Sequence, residues 1–332
     1  MDVHDFENLI QSKLLSPSIN VPGWYRYDVN ASNFRQDLEE LRKFKNEKII
    51  IYMGIKSKYN QDGVEPNRLE DARELMSCFR GLNICQNFEN LDLISGLTNL
   101  EVLMIHTQDH LPLSKRKKSV DLNGLERLRY LTLPIAPKKI NFNFFEINGL
   151  DYLSIPHFDE NDATYVNWIS GQKHLRAISM HRPKMKTLDW LQSPMLRFLQ
   201  IDYAKNLQSL SGGCTYNNLE HVDFQNCPNL TTVDGLSESK NLMLLRIWGS
   251  LKLETLSFLK GSSIQCLDFY ESNVEDGDLS FIQTLKDLKH LRFTNKRHFS
   301  HSLKDYLDKE SVKVSTPSIW CDYEDKVLGH FM

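Results

Sequence analysis

The sequence predicts an α/β solenoid with a parallel sheet on its concave face and a 3₁₀ or irregular convex side. Three observations predict it. First, NLEHVDFQNCPNLTTVDGL, residues 218–236, places apolar residues at Leu219, Val222, Phe224, Cys227, Leu230, Val233 and Leu236. The steps are mostly of three, whereas a strand asks for steps of two and an amphipathic helix for three and four. Second, the form L-x-x-L-x-L recurs, centred on Leu82, Leu103, Leu131, Leu153, Ile178, Leu199, Val222, Leu245, Leu267 and Leu291, with centres 21 to 28 residues apart. Third, the step of three continues past the centres, as in Leu245, Ile247, Ser250, Leu253, Leu256 and Leu259.

The elements follow from the spacing. Each L-x-L pair points to one face of a short strand, and the preceding Leu enters from the turn. Stacked units give parallel strands ~4.8 Å apart. Residues three apart eclipse on a 3₁₀ turn, which suits the return path. No unit buries its apolar edge alone, so the stack holds together cooperatively. On these motifs the chain resembles the leucine-rich repeat family, across about ten units in residues 76–295. The family's usual Asn at the ninth position is replaced here by Ala204, Cys227, Ser250 and Ser272, an irregular corner ladder. About eleven parallel strands are expected.

Residues 1–75 read as an N-terminal cap: a helix over about 33–44 with Asn33 as N-cap, a buried strand over about 48–55 and a polar loop over 56–68. Trp24, Tyr25 and Tyr27 extend this cap. Residues 296–332, including Thr316, Pro317 and Trp320, read as the closing cap. The 28-residue interval holds a basic loop, Lys115 to Lys118, expected to be solvated.

Forty basic and 43 acidic residues nearly cancel, which removes the electrostatic case for nucleic acid or an anionic membrane. The start carries acids and no apolar run of signal-peptide kind, and IIIYM at 49–53 is too short to span a bilayer. Six scattered cysteines without a CxxC pair fit reduced thiols, so a cytoplasmic location is expected.

Phosphate-loop, zinc-protease and nucleophile-elbow motifs are absent. His106 with His110, and His298 with His301, have short spacings but no third ligand, so no metal and no cofactor are expected. Ser211-Gly212-Gly213-Cys214 reads as a turn, and Cys321-Asp322 as no catalytic motif. Between the core pairs, Asp223, Arg246, Asp268 and Arg292 alternate in sign on neighbouring strands. Flanking columns add Tyr130, Tyr152, Phe198, Asp202, Tyr203, His221, Trp248, Tyr270 and Glu271. Aromatic residues with polar handles are enriched at binding hot spots. These thirteen residues are the expected partner-binding face of a non-catalytic module that is monomeric until it grips a folded protein. The chain is similar to standalone bacterial intracellular members of the family, and that resemblance implies an inhibitor or immunity protein acting on a toxin or effector. Two other classes stay open: a hydrolase-like or metal-dependent enzyme using His221 with Asp202 and Asp223, and a structural or assembly protein.

Overall fold

A computed structural model describes residues 15–17, 21, 23–32, 34–44, 47–54, 60–65, 68–85, 87–106, 118–134, 140–211, 216–307 and 313–314. The chain divides between Tyr152 and Leu153 into two compact units.

In the first unit, β1 (Ser16–Pro17) lies antiparallel to β2 (Tyr25–Asp28). Helix α1 (Phe34–Leu41) follows, buries Leu38 and Leu41, and tightens into a 3₁₀ turn over Arg42–Phe44. The Tyr27 hydroxyl donates to Asp37 at 2.7 Å, tying this helix to β2. Next comes β3 (Ile49–Met53), parallel to β2, so a strand precedes the one that the sequence marks as first. A 3₁₀ turn (Leu69–Ala72) and α2 (Arg73–Cys78) lead into β4 (Gly81–Cys85) and β5 (Val102–His106). Leu103 sits between Leu82 of β4 and Leu131 of the later strand β7 (Tyr130–Thr132). These three leucines are fully buried, as the repeat requires.

The long interval is not all loop. Strand β6 (Lys118–Asp121) precedes β7 and pairs in parallel with β8 (Ile140–Asn143) in a sheet of its own, burying Val120 and Phe142. The basic run therefore ends inside a strand at Lys118. Lys115, Arg116 and Lys117 lie outside the described residues. So do Asn33, His110, Gly212, Gly213, Cys214, Thr316, Pro317, Trp320, Cys321 and Asp322.

Strand β9 (Tyr152–Pro156) is cut by the division, and the second unit continues with α3 (Ala163–Ser170). Asp162 caps α3, accepting from the backbone N–H of Thr164 at 3.0 Å and of Tyr165 at 3.4 Å. Six parallel strands then pair in sequence order: β10 (Ala177–His181), β11 (Phe198–Asp202), β12 (His221–Gln225), β13 (Leu244–Trp248), β14 (Cys266–Phe269) and β15 (His290–Phe293). The register sets Ile178, Leu199, Val222, Leu245, Leu267 and Leu291 in one row, all buried. Return paths carry 3₁₀ turns at Asp234–Glu238, Ser257–Leu259 and Ser280–Thr284. After α4 (Lys304–Leu307), β16 (Lys313–Val314) adds to the edge beside His290 and Leu291. The fold class is that of the leucine-rich repeats.

The corner ladder works without its Asn. The residue after each of β9 to β13 adopts a left-handed conformation, His157, Arg182, Tyr203, Asn226 and Gly249, as does Glu271 two residues past β14, with φ between 53° and 69°. That geometry turns the N–H of Arg182, Tyr203 and Asn226 onto the next strand's carbonyl, at Asp202, Gln225 and Trp248, each at 2.7 Å, whereas the Glu271 N–H donates to Thr294 Oγ1 at 3.2 Å. One position on, the small residues Ala204, Cys227, Ser250 and Ser272 are buried. Ser272 donates to the Ile247 carbonyl at 2.6 Å and accepts from the Ser250 N–H at 3.0 Å. Burial pushes the Cys227 thiol up to about 12, so it stays protonated and packs as an apolar group.

Candidate functional site

Three outward columns run along the sheet of the second unit, set by the first, third and fifth residues of β10 to β13 and the residues that continue them in β14 and β15. In the second unit the first column is Ala177, Phe198, His221, Leu244, Cys266 and His290. The expectation of exposure fails here. Phe198 is buried against the His221 ring, with centroids 4.5 Å apart, and His221 itself is 0% exposed. Tyr130, in the first unit, is also buried. It stacks on the half-buried Tyr152 at 4.0 Å and packs with Val21, Trp24, Ile50, Val102 and Met104, so chain upstream of β2 covers that face.

The middle column is an ion-pair ladder. Arg246 Nη1 donates to Asp223 Oδ2 at 2.8 Å, and its Nε lies 4.0 Å from Asp268. Arg292 Nε donates to the same Asp268 oxygen at 2.9 Å. Pairing lets carboxylates leave water, and Asp223, Arg246 and Asp268 are buried rather than exposed. The alternation of sign read in the sequence is therefore an internal network.

The third column and the turns after it make the open edge. Tyr203 is 46% exposed and Tyr270 36%, while Asp202, Trp248 and Arg292 are half-buried and Glu271 is exposed. Their side chains are braced. Trp248 Nε1 donates to Glu271 at 3.1 Å, the Arg292 guanidinium lies 5.0 Å from the Tyr270 ring, and Trp248 and Tyr270 sit 6.5 Å apart. Beside Tyr203 lie the His181 ring at 5.2 Å and the Arg182 guanidinium at 5.8 Å. Burial and the Arg182 charge lower the pKa of His181. A hollow of about 460 Å³ is lined by Arg182, Pro183, Lys184, Tyr203, Lys205 and Asn206. The structure thus groups Asp202 with Tyr203, and Trp248 with Tyr270, Glu271 and Arg292. Reading the columns at only some repeats misses His181, Arg182, Lys184, Lys205, Gln225 and Asn226. Extending the same count to every repeat finds those that follow a strand.

The trio His221, Asp202 and Asp223 does not assemble into an acid–base site. Neither ring nitrogen of His221 has a hydrogen-bond partner. Burial, then the Arg246 charge, lowers its pKa to about 3. His298 and His301 have structural bonds instead, to the Val274 carbonyl at 2.9 Å and to Ser300 and Gln283 at 2.9 and 3.0 Å. No group of three possible metal ligands occurs among the described residues. In the first unit, a polar cleft of about 640 Å³ lies at the carboxyl ends of β2 to β5, lined among others by Asp28, Tyr52, Asn83, Cys85 and His106. Its Arg26 is held by Asp28 at 2.9 Å and lies 4.2 Å over Tyr52, so that cation is already committed.

No family model matches the sequence, and no curated protein matches it. Among solved structures, a leucine-rich repeat protein of Leptospira interrogans is 16% identical, with a TM-score of 0.29, covering 83% of this chain and 92% of its own. A plant peptide hormone receptor, RGFR1, in complex with RGF2, is 14% identical, with a TM-score of 0.22. That match covers 77% of this chain and 52% of the receptor chain. Among the described residues no helix is long and apolar enough to cross a membrane.

Proposed function

We propose that this chain is a non-catalytic protein-binding module that grips a folded partner with the edge formed by Asp202, Tyr203, Trp248, Tyr270, Glu271 and Arg292. Support comes from one observation: aromatic side chains with polar handles stand at the open edge, already braced by Glu271, Arg292 and Arg182. Bracing limits the ordering cost of association, and Trp, Tyr and Arg are the residues that dominate interface energies. Arg182, Lys184 and Lys205 around Tyr203 favour a partner with acidic groups at that point. Phe198, His221, Asp223, Arg246 and Asp268 then act as the floor that holds the edge, and Tyr130 and Tyr152 belong to the packed face of the first unit. The sharper form is a cytoplasmic inhibitor or immunity protein, a monomer until it meets a toxin or effector.

The test is capture of partners from cells of the source by wild type and by the double variant Trp248→Ala, Tyr270→Ala. Loss of a captured protein by at least tenfold in the variant is expected. Equal retention removes the edge from the interface.

A further inference from the structure

In the polar cleft of the first unit, hydrogen-bond acceptors outnumber the donors that could meet them. Its volume of about 640 Å³ falls within the ~300–1,000 Å³ of ordinary ligand pockets. Asn83 of β4 lines it, stands beside Tyr52 of β3 in the register and is only 7% exposed. A buried carboxamide asks for partners at both of its ends. Asn83 Nδ2 donates to the Met104 sulfur at 3.9 Å, a weak bond, and among the described residues no donor reaches its Oδ1. Asp62 also lines the cleft, and among the described residues no cation pairs with its carboxylate. Its backbone is fixed: the Ala31 N–H donates to the Asp62 carbonyl, and the Val64 N–H to the Gly54 carbonyl, each at 2.9 Å. The strong donors are already committed. Arg26 donates from Nε and Nη2 to Asp28, and the buried Cys85 thiol donates to Asn87 Oδ1 at 2.9 Å. Two carboxylates therefore share one cation, and the buried oxygen of Asn83 has no N–H.

We propose that this cleft binds an organic ammonium group, held by Asn83 Oδ1 and the Asp62 carboxylate. An ammonium offers three donors and no acceptor, the complement of what the cleft leaves over. Its charge offsets the carboxylate that Arg26 does not reach, whereas an anionic ligand would meet Asp62 with repulsion. An uncharged alkyl chain of the same length would leave both acceptors unmet, so the cleft discriminates by charge and not by size. A free amine and the lysine side chain of a peptide present the same group, and the test below separates them. The site uses no residue of the second unit and does not rest on the partner-binding reading above.

The test is calorimetric titration of the full-length protein with cadaverine, with acetyl-Gly-Lys-Gly-amide and with the uncharged acetyl-Gly-norleucine-Gly-amide. At least one of the two cations is expected to bind, and the norleucine peptide is not. Binding of cadaverine assigns a free amine, and binding of the lysine peptide alone assigns a basic side chain. Asp62→Asn should weaken the bound probe about fivefold, the upper range for a solvent-accessible ion pair. Asn83→Leu, which removes a charge-assisted hydrogen bond, should weaken it about tenfold. Asp92→Asn, at an exposed acid outside the cleft, should leave binding unchanged. Equal binding by wild type and Asp62→Asn, equal binding of the norleucine peptide, or no binding of either cation at millimolar concentration overturns the proposal. Asp62 is exposed, so its variant folds as wild type does. Should Asn83→Leu unfold, Asp62→Asn alone decides by the same outcomes. Partner capture by the edge of the second unit enters neither result, so the two ideas fail separately.

Discussion

At the scale of the residue, His221 is the most informative side chain. Its folded pKa is lowered to about 3 while an unfolded chain protonates it near 6.5. Between those values the unfolded state binds one more proton, so stability is complete above about 6.5 and falls with acidification at up to ~1.4 kcal/mol per pH unit. Urea unfolding at pH 7, 6 and 5 should show this slope in wild type, and His221→Leu should flatten it. Tyr203 makes the opposite case. An aromatic residue at φ 58° costs ~1–2 kcal/mol that glycine avoids. Tyr203→Gly should therefore melt no lower than wild type yet capture partner at least tenfold less well. A stabler variant that still binds would take Tyr203 out of the interface.

At the scale of the element, the strands of the second unit are joined by charge on one face and by leucines on the other. Removing the cation between two buried carboxylates should be severe. Arg246→Met is expected to cost ~3–5 kcal/mol in denaturant unfolding, because Asp223 and Asp268 lose the guanidinium between them. Ser272→Ala takes away a hydroxyl that serves two backbone groups in the corner, and should cost ~1–3 kcal/mol. The strand positions were legible from Leu199, Val222, Leu245 and Leu291, because a core row leaves no freedom in register. Helix α3 was not, since Asp162 and a run of eight residues are too short a signal within a return path that elsewhere reads as 3₁₀. Strand β2 was hidden for a related reason: Tyr25–Asp28 shows no L-x-x-L-x-L and joins the sheet through pairing with Ile49 to Tyr52.

At the scale of the whole molecule, a repeat stack transmits damage only to its neighbours. Leu245→Ala, at the middle of a buried row, should cost ~2–5 kcal/mol and speed amide exchange in β12, β13 and β14 while β10 changes little. Exchange rising equally in all strands would contradict nearest-neighbour behaviour. The candidate site was only half visible at this scale. Sequence columns identify which residues leave the core row, but not which of them then meet something else. Phe198, His221 and Asp268 satisfy the same count as Tyr203 and Tyr270, and only the three-dimensional packing separates the two groups. The left-handed corners hold a final implication. What these corners share is the turned backbone, which no particular side chain supplies: His157, Arg182, Tyr203, Asn226, Gly249 and Glu271 hold one left-handed conformation with six different residue types. Such positions are where recognition can be rewritten one unit at a time, like interchangeable type set in a fixed frame, with no core leucine touched.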